Sequence, residues 1–430
     1  MNFARLNHIL IPATRDGRER IRQSFLGRVF TPIGWFYGVL SDEGRVFVVL
    51  LLFVGTAGLS VDTTQIYVLW SALFGFVLGS LAIRRAFELR SVRVAVRAPR
   101  RVAAGEIVTF EVTLASERDE PVHDVRVAGP FLPWDGRWIE RPPPFAVVPP
   151  HGSARTTVRA RFVARGEHQL DVFTAARLVP GGLTLGAPID SDPVRFLVVP
   201  PLASVASLSL PVPPGSATSG GRSMLRVREG QELFGVRLYR RGDPVRELHP
   251  KTWARRGEPH VREYRPSTTE RIAVALDDDS AASEEAFEAA LSVVAGVVAW
   301  ASEGEHDLGP LLLGTRTHPL PRRGSRATLD AALDGLAVAE RAPLLEPEAW
   351  WKRVEVDLEL TSVMIIVATG PAARGVAMVA EAARRGLAIR VVRVVDDRPF
   401  FGRGPLPSAT FDEERVVSVR AVLAQEALRL

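Results

Sequence analysis

Val46–Val61 (VFVVLLLFVGTAGLSV) and Ile66–Ile83 (IYVLWSALFGFVLGSLAI) are uncharged apolar runs of 16 and 18 residues, separated by Asp62, Thr63, Thr64 and Gln65. The hydrocarbon core of a bilayer takes roughly 20 apolar residues in a helix, with a range of about 17–25. With Gly44 and the flanking positions, both runs come close to that length. Backbone polar groups in lipid must be satisfied internally, so the pair reads as a transmembrane helical hairpin over 46–84. The first run begins too late, and without an export pattern before it, to be a cleavable signal peptide.

Charge orients the hairpin. Arg15, Arg18, Arg20, Arg22, Arg28 and Arg45 precede it, and Arg84, Arg85, Arg90, Arg93 and Arg97 follow it, whereas the turn has one Asp and no basic residue. Both flanks are therefore expected in the cytoplasm, with 1–45 as a basic segment and the body after the hairpin on the same side. Membrane lipid is the first partner implied.

The 430 residues, 47% of them hydrophobic, allow two or three modest domains. The 54 basic and 49 acidic residues leave a formal charge of +5, too small for a chain of this size to argue for nucleic acid. The absence of cysteine excludes disulfides, thiolate catalysis and zinc–thiolate sites.

Residues 91–200 change period. Val92–Val96 and Thr156–Phe162 alternate every second residue, and short β-rich runs are punctuated by Ala98-Pro99-Arg100, Gly129-Pro130 and Pro142-Pro143-Pro144. Six or seven strands in this span predict an all-β, immunoglobulin-like antiparallel sandwich. His123, His151 and His168 stand apart without ligand spacing and are expected in solvated loops or at edges. Residues 201–232, with Pro213-Pro214-Gly215-Ser216-Ala217-Thr218-Ser219-Gly220-Gly221, read as a linker.

From 266 to 430 strands and helices alternate. Apolar strands are expected at Ile272–Leu276, Leu311–Leu313, Val363–Val367 and Leu387–Val395, with helices at Glu284–Trp300, Thr328–Val338, Ala372–Arg385 and Glu413–Leu428. Near-continuous apolar strands predict a mostly parallel sheet covered on both faces, hence an α/β domain of Rossmann-like type. Ligands of such sheets bind beyond the strands' carboxyl ends, which marks Asp277, Asp279, Ser280, Thr369 and Asp396 for inspection.

Between linker and α/β domain, 233–265 holds the polar block LFGVRLYRRGDPVRELHPKTWARRGEPHVREY (Leu233–Tyr264). Gly242-Asp243-Pro244 is a turn signal. Arg237, Arg240, Arg241, Arg246, Arg255 and Arg256 face Asp243, Glu247, Glu258 and Glu263 in composition, so bidentate Arg–carboxylate pairs are expected to pin the block against the sheet. The other reading is an anion or partner surface built from Arg246, His249, Lys251 and Arg255. No Gly-x-Ser-x-Gly elbow, His-Glu-x-x-His motif or phosphate-cradling loop is present.

The order of hairpin, sandwich, polar block and α/β domain resembles the DUF58 family of bacterial membrane proteins. The local match lies in Gly235, Arg237, Tyr239, Gly242-Asp243, Arg246, His249, Lys251 and Ala254-Arg255, then Val261-Arg262-Glu263 before the first strand. Pro250 occupies the family's usual Trp position, and Trp253 stands three residues on. The resemblance implies a von Willebrand factor A-like C-terminal domain and a multi-pass protein of the bacterial inner membrane with a cytoplasmic body. It also implies association with a MoxR-type AAA+ ATPase, hence a scaffold in complex assembly or in envelope or stress physiology. The alternative is an enzyme or anion-binding protein acting through Arg246, His249, Lys251 and Arg255.

An intact metal-ion-dependent adhesion site of A domains has Asp-x-Ser-x-Ser after the first strand. Asp277-Asp278-Asp279-Ser280-Ala281 keeps the first Asp but replaces the first Ser by Asp279, and Ala281 supplies no side-chain oxygen. Asp277, Asp279 and Thr369 leave two readings. One is a hydrated Mg²⁺ site; the other is an Asp-rich turn that caps the next helix. No other cofactor is implied.

Overall fold

The computed structural model describes residues 33–57, 64–140, 142–211, 231–240, 243, 248–266, 271–304, 306–314, 316–321, 326–341, 346–358, 361–396 and 409–430. The chain divides into two units, Met1–Val199 and Pro200–Leu430.

In the first unit a helical turn at 33–39 leads to α1 (Asp42–Ala57) and α2 (Thr64–Ile83). The two helices pack antiparallel. Phe47 meets Phe76 edge-on at 6.2 Å between centroids, and Trp70 Nε1–H donates to the Leu51 carbonyl at 3.1 Å. Their outer faces carry Val49, Leu52, Phe53, Val68 and Leu69, all exposed. The most apolar window of Ile66–Phe87 has a mean hydropathy of 2.1, and 11% of it is buried. Among the described residues one other helix, Glu284–Glu303 of the second unit, is long and apolar enough to span, with a mean hydropathy of 1.4 in its window, but 72% of that window is buried and it serves as a core helix. α1, at 16 residues, is shorter than a typical span.

Behind the hairpin lie eleven strands. β1 (Val92–Arg97), β3 (Ile107–Ser116), β7 (Ser153–Phe162) and β5 (Gly136–Trp138) form one antiparallel sheet in the order β1-β3-β7-β5. A second sheet runs β10 (Ile189–Asp190), β9 (Thr174–Arg177), β4 (Val122–Ala128), β6 (Phe145–Val148). A third runs β2 (Arg101–Ala103), β11 (Val194–Val199), β8 (Gly166–Leu170). Period-two burial on β3 turns Val108, Phe110, Val112 and Leu114 inward, where they join Phe162, Phe173 and Phe196 in one core. Each such side chain contributes roughly 1.5–3 kcal/mol when fully buried. The β-rich run His168–Leu178 forms two strands, β8 and β9. It breaks where Phe173 turns into the core and its amide donates to Ser191 Oγ at 3.0 Å.

The hairpin is seated on the loop between β9 and β10. Ser41 Oγ donates to the Gly182 carbonyl at 2.5 Å, and Ser80 and Thr184 hydroxyls meet at 2.5 Å. Leu183 is buried with Leu51 and Val77. A Cβ on Gly44 would lie 1.9 Å from the Leu183 carbonyl oxygen, so only glycine permits this approach.

His168 departs from its expected place. It is buried, stacked on Phe196 at 5.6 Å, with Nε2 2.8 Å from Asp135 Oδ2 and Nδ1 3.1 Å from the Gly166 carbonyl. Both ring nitrogens thus face acceptors, an arrangement satisfied by the doubly protonated imidazolium. Burial works against that charge, but the Asp135 and Gly166 hydrogen bonds outweigh it and raise the pKa above the ordinary 6.5.

The second unit is built on a six-stranded sheet. β15 (Arg271–Asp277), β16 (Asp307–Leu313), β17 (Arg316–His318), β18 (Val363–Ala368), β19 (Ala388–Val395) and β20 (Glu414–Ser418) lie in the order β17-β16-β15-β18-β19-β20. All neighbours are parallel except β17, which pairs antiparallel with β16. α6 (Pro347–Val354) and α7 (Ala372–Arg384) cover Ala273, Ala275, Met364 and Ile366 on one face. α4 (Glu284–Glu303) also packs on the sheet, with α5 (Arg326–Ala337) and α8 (Val419–Leu423) beside it. Ser283, not the preceding aspartates, caps α4: its Oγ accepts from the Ala286 amide at 3.1 Å.

Two expected elements change character. The C-terminal stretch is not one helix: Glu414–Ser418 is the sixth strand, paired with β19, and only Val419–Leu423 is helical. The Val416-Val417 run favours a strand, and Glu414 locks it, fully buried with Oε1 2.5 Å from Arg393 Nε and Oε2 2.5 Å from the Thr410 amide. The start of the expected linker also belongs to this unit. β12 (Val205–Ser207) pairs parallel with β21 (Leu428–Arg429), the Ala203 amide donates to the Ser292 carbonyl at 3.0 Å, and a Cβ on Gly296 would meet the Ala203 carbonyl oxygen at 2.3 Å. The glycine- and serine-rich remainder, 212–230, lies outside the described residues.

His168 predicts a pH effect. Because its folded pKa is raised, the stabilisation is complete below about 6.5 and is lost as pH rises through the raised value. Hydrogen exchange of Gly166–Leu170, corrected for intrinsic rates, is expected to show protection falling over that interval in the wild type. In His168→Gln the same strand is expected to be less protected at pH 6 and to show no such fall.

Candidate functional site

β15 and β18 are adjacent parallel strands whose chain connections leave in opposite directions, β15 toward β16 and β18 toward β19. Counted from β15, the order is third, second, first, fourth, fifth, sixth, the doubly wound arrangement, whose crevice opens between the first and fourth strands. Register places Asp277 opposite Ala368, so Asp277, Asp278 and Asp279 meet Thr369 at this switch point. The Thr369 amide donates to the Asp277 carbonyl at 3.1 Å. Thr369 Oγ1 accepts from the Asp279 amide at 2.8 Å and donates to Asp278 Oδ1 at 3.0 Å.

Arginines close the carboxylates. Arg374, in the first turn of α7, donates Nε and Nη2 to Asp277 Oδ2 and Oδ1 at 2.6 and 2.9 Å, and the two side chains are 9% and 7% exposed. Arg341, after α5, donates to both oxygens of Asp278 at 3.0 and 3.2 Å and to the Asp279 carbonyl at 2.6 Å. Its guanidinium also lies 5.4 Å from the centre of the Phe287 ring. Asp279 Oδ1 accepts from the Ala281 amide at 2.9 Å, closing the local turn.

This donor set does not fit Mg²⁺. A near-octahedral ion needs oxygens free to converge, whereas both Asp277 oxygens face one guanidinium and the Thr369 hydroxyl is engaged twice. Among the described residues no cluster of three or more His, Asp or Glu side chains is arranged to hold a metal. The expected metal ligands Asp277, Asp279 and Thr369 do come together, but arginine supplies the positive charge. The aspartate-rich turn does not cap α4 either. Asp396 follows β19, the next strand along, and is exposed. Nothing in the sequence marked Arg341 or Arg374, because no local spacing rule links them to residues 63 and 97 positions away.

The polar block forms its own two-stranded antiparallel ribbon, β13 (Gln231–Leu238) with β14 (His260–Pro266), separate from the six-stranded sheet, with α3 (Pro250–Arg256) between the strands. The expected bidentate pair exists between Arg237 and Asp243, at 2.7 and 2.9 Å. That bond first, and the Arg240 amide second at 2.8 Å, hold Asp243 down to a pKa of about 2. The pair ties the turn to β13 within the ribbon rather than to the sheet.

His249 is the N-cap of α3. Its Nδ1 accepts from the Thr252 amide at 3.2 Å and lies 2.8 Å from Thr252 Oγ1. Lys251, Trp253 and Arg255 are exposed on that helix, and neither Lys251 nor Arg255 has an ion-pair partner among the described residues. Tyr239 is half-buried, its amide bonded to the Pro259 carbonyl at 2.9 Å. Arg246 and Glu247 lie outside the described residues.

A doubly wound α/β unit preceded by a basic ribbon is the class this geometry defines. Residues 235–394 match the family described as Protein of unknown function DUF58, which supports the DUF58 resemblance over the ribbon and the strands through β19. No curated protein matches the chain. Among solved structures, the native conformation of E. coli alpha-2-macroglobulin is similar at 15% identity over 28% of this chain and 7% of that one, with a TM-score of 0.21. The GH20 exo beta-N-acetylglucosaminidase from Vibrio harveyi in complex with N-acetylglucosamine is similar at 8% identity over 71% of this chain and 57% of that one, with a TM-score of 0.18. At such scores neither likeness establishes a shared fold.

Removing one partner of a buried ion pair leaves the other charge uncompensated, at about 3–5 kcal/mol, whereas an apolar replacement of both is often neutral. Asp277→Ala is therefore expected to lose that much stability in urea unfolding of the full chain, and Asp277→Leu combined with Arg374→Met is expected to recover most of it. Equal losses in the two variants would show that the residues are not coupled.

Proposed function

We propose that the chain is a membrane-anchored cytoplasmic scaffold whose A-like α/β unit engages a protein partner at the rim of its switch point. The observation that carries this reading is the closure of the crevice by Asp277–Arg374 and Asp278–Arg341, which leaves a shaped, internally neutralised surface instead of converging reactive groups. Around it Ser280, Pro371 and Ala373 are exposed. The sheet order, with β17 antiparallel at its edge, supports the von Willebrand factor A-like reading, and the three-sheet aromatic core supports the immunoglobulin-like one. The partner class implied by the DUF58 resemblance is a MoxR-type AAA+ ATPase. Exposed Lys251, Trp253 and Arg255 of α3 offer a separate basic surface on the ribbon.

The engagement of His249 Nδ1 as a helix cap favours this reading over an enzyme acting through Arg246, His249, Lys251 and Arg255. For the anchor, the support is α2: its length, its hydropathy and its uncovered Val68 and Leu69 fit lipid as solvent. With arginine-rich flanks on both sides of the hairpin, the body is assigned to the cytoplasm of a bacterial inner membrane.

Two measurements test this. Ser280→Arg and Ala373→Arg place a long charge on the rim without touching the ion pairs. Recovery of the AAA+ ATPase by capture from native membranes is expected to fall about tenfold, as loss of a central interface contact would produce. Unchanged recovery with both folded variants would refute the strand-end surface. The natural absence of cysteine makes Glu117→Cys a clean topology probe. It is expected to react with a membrane-impermeant maleimide only after the cells are opened; labelling of intact cells would reverse the assigned orientation.

A further inference from the structure

Within the first unit a cavity of about 530 Å³ opens where α1 begins and α2 ends, walled by 33–39 and by strands of the sandwich. Its size is that of an ordinary small-molecule site. Trp35, Val39 and Leu185 supply apolar wall, while Arg45, Arg84 and Arg126 bring three guanidinium groups against one lining carboxylate, Asp42.

The three arginines differ. Arg45 donates to Asp42 Oδ1 at 2.8 Å and lies over the Tyr37 ring at 4.1 Å. Arg126 donates to Glu43 at 3.0 Å. Arg84 instead spends Nε and Nη2 on the main-chain carbonyls of Leu185 and Gly186, at 3.2 and 3.4 Å, with its guanidinium 5.5 Å from the Trp35 ring centre. Those bonds fix its plane without neutralising it; among the described residues it has no carboxylate partner. A guanidinium carries five N–H donors, so several remain for an incoming anion.

The position narrows the anion. The cavity lies at the arginine-flanked end of the apolar helices, beside exposed Ile33, Trp35 and Tyr37. Aromatic rings concentrate at the headgroup level of a bilayer, and basic pockets on the cytoplasmic side of helix ends take anionic headgroups. We propose that this cavity binds the phosphate headgroup of an anionic glycerophospholipid, with Arg84 as the anchoring cation and Trp35 against the apolar part of the molecule. The assignment rests on the membrane reading above and deepens it from general anchoring to a specific lipid site.

The test is native mass spectrometry of the full chain in detergent, titrated with phosphatidylglycerol, with phosphatidylcholine, and separately with inorganic phosphate. The wild type is expected to retain phosphatidylglycerol at least about tenfold better than phosphatidylcholine, in line with hydrogen bonds to a charged group. Arg84→Gln is expected to abolish that preference. Gly38 lines the cavity with open space where a side chain would begin, so Gly38→Phe fills the site without removing a charge and is expected to lose the lipid as well. It also carries the test should Arg84→Gln fail to fold by thermal melting. Arg161→Gln, on the exposed face of β7, is the control expected to bind as the wild type.

Equal retention of both lipids, or preference unchanged in Arg84→Gln and Gly38→Phe, would overturn the proposal. Saturation by inorganic phosphate alone, blocking the lipid, would assign the cavity to a soluble phosphate compound and overturn the lipid source. Carbonate extraction of native membranes separates this outcome from failure of the anchor. A chain that stays in the membrane but shows no lipid preference refutes only the site, and a chain that is extracted refutes the membrane reading itself.

Discussion

Two carboxylates at the end of a central strand cannot remain buried without positive partners, because desolvation of an unpaired charge exceeds anything local packing returns. Asp277 and Asp278 sit there, each 6% exposed. Their partners come from separate elements: Arg374 from the first turn of α7 and Arg341 from the chain after α5. Each bidentate pair therefore fixes where an element begins or ends against the sheet, and Thr369 ties the two strand ends together beneath them. The switch point becomes a braced rim instead of an open pocket, which supports the proposal that it docks a partner.

The same composition serves two ends in this chain. α2 and α4 are equal in length and both apolar enough to span a bilayer, yet α4 lies against a parallel sheet and α2 keeps most of its side chains uncovered. The difference lies in what surrounds them. Alternating strands and helices after Arg271 offer α4 a hydrophobic face to cover, whereas the apolar contact of the hairpin with the β-sheets of its unit centres on the loop around Leu183, admitted by Gly44. Where that loop meets the helix ends, arginines, aromatic rings and empty volume coincide.

Strands β15, β16, β18 and β19 were legible because their apolar runs are continuous, the signature of burial on both faces. Helices α4, α5 and α7 were legible from the alternation of strand and helix patterns, although the aspartate turn read as a cap for α4 is not one. The short strands Arg101–Ala103, Gly136–Trp138 and Ile189–Asp190 were not, since two or three residues carry no period. Glu413–Leu428 misled because apolar residues at mixed spacing fit a helix, while the buried Glu414–Arg393 contact and pairing with β19 favour a strand. His168 misled for a related reason: isolation in sequence says nothing about Asp135, 33 positions away.

Sequence alone determined the order of parts, the polar block that carries the DUF58 resemblance, the apolar hairpin with its arginine flanks, and the gathering of Asp277, Asp279 and Thr369 at strand ends. These follow from local period, composition and the rule that parallel strands place their carboxyl ends on one edge. Only tertiary structure decided that Arg374 and Arg341 would neutralise those carboxylates, that His249 would cap a helix, and that Arg84 would stand over a cavity without an acidic partner among the described residues. Such pairings join residues far apart in the chain, and the free energy that selects them, the desolvation of charge, exists only once the chain has closed around them.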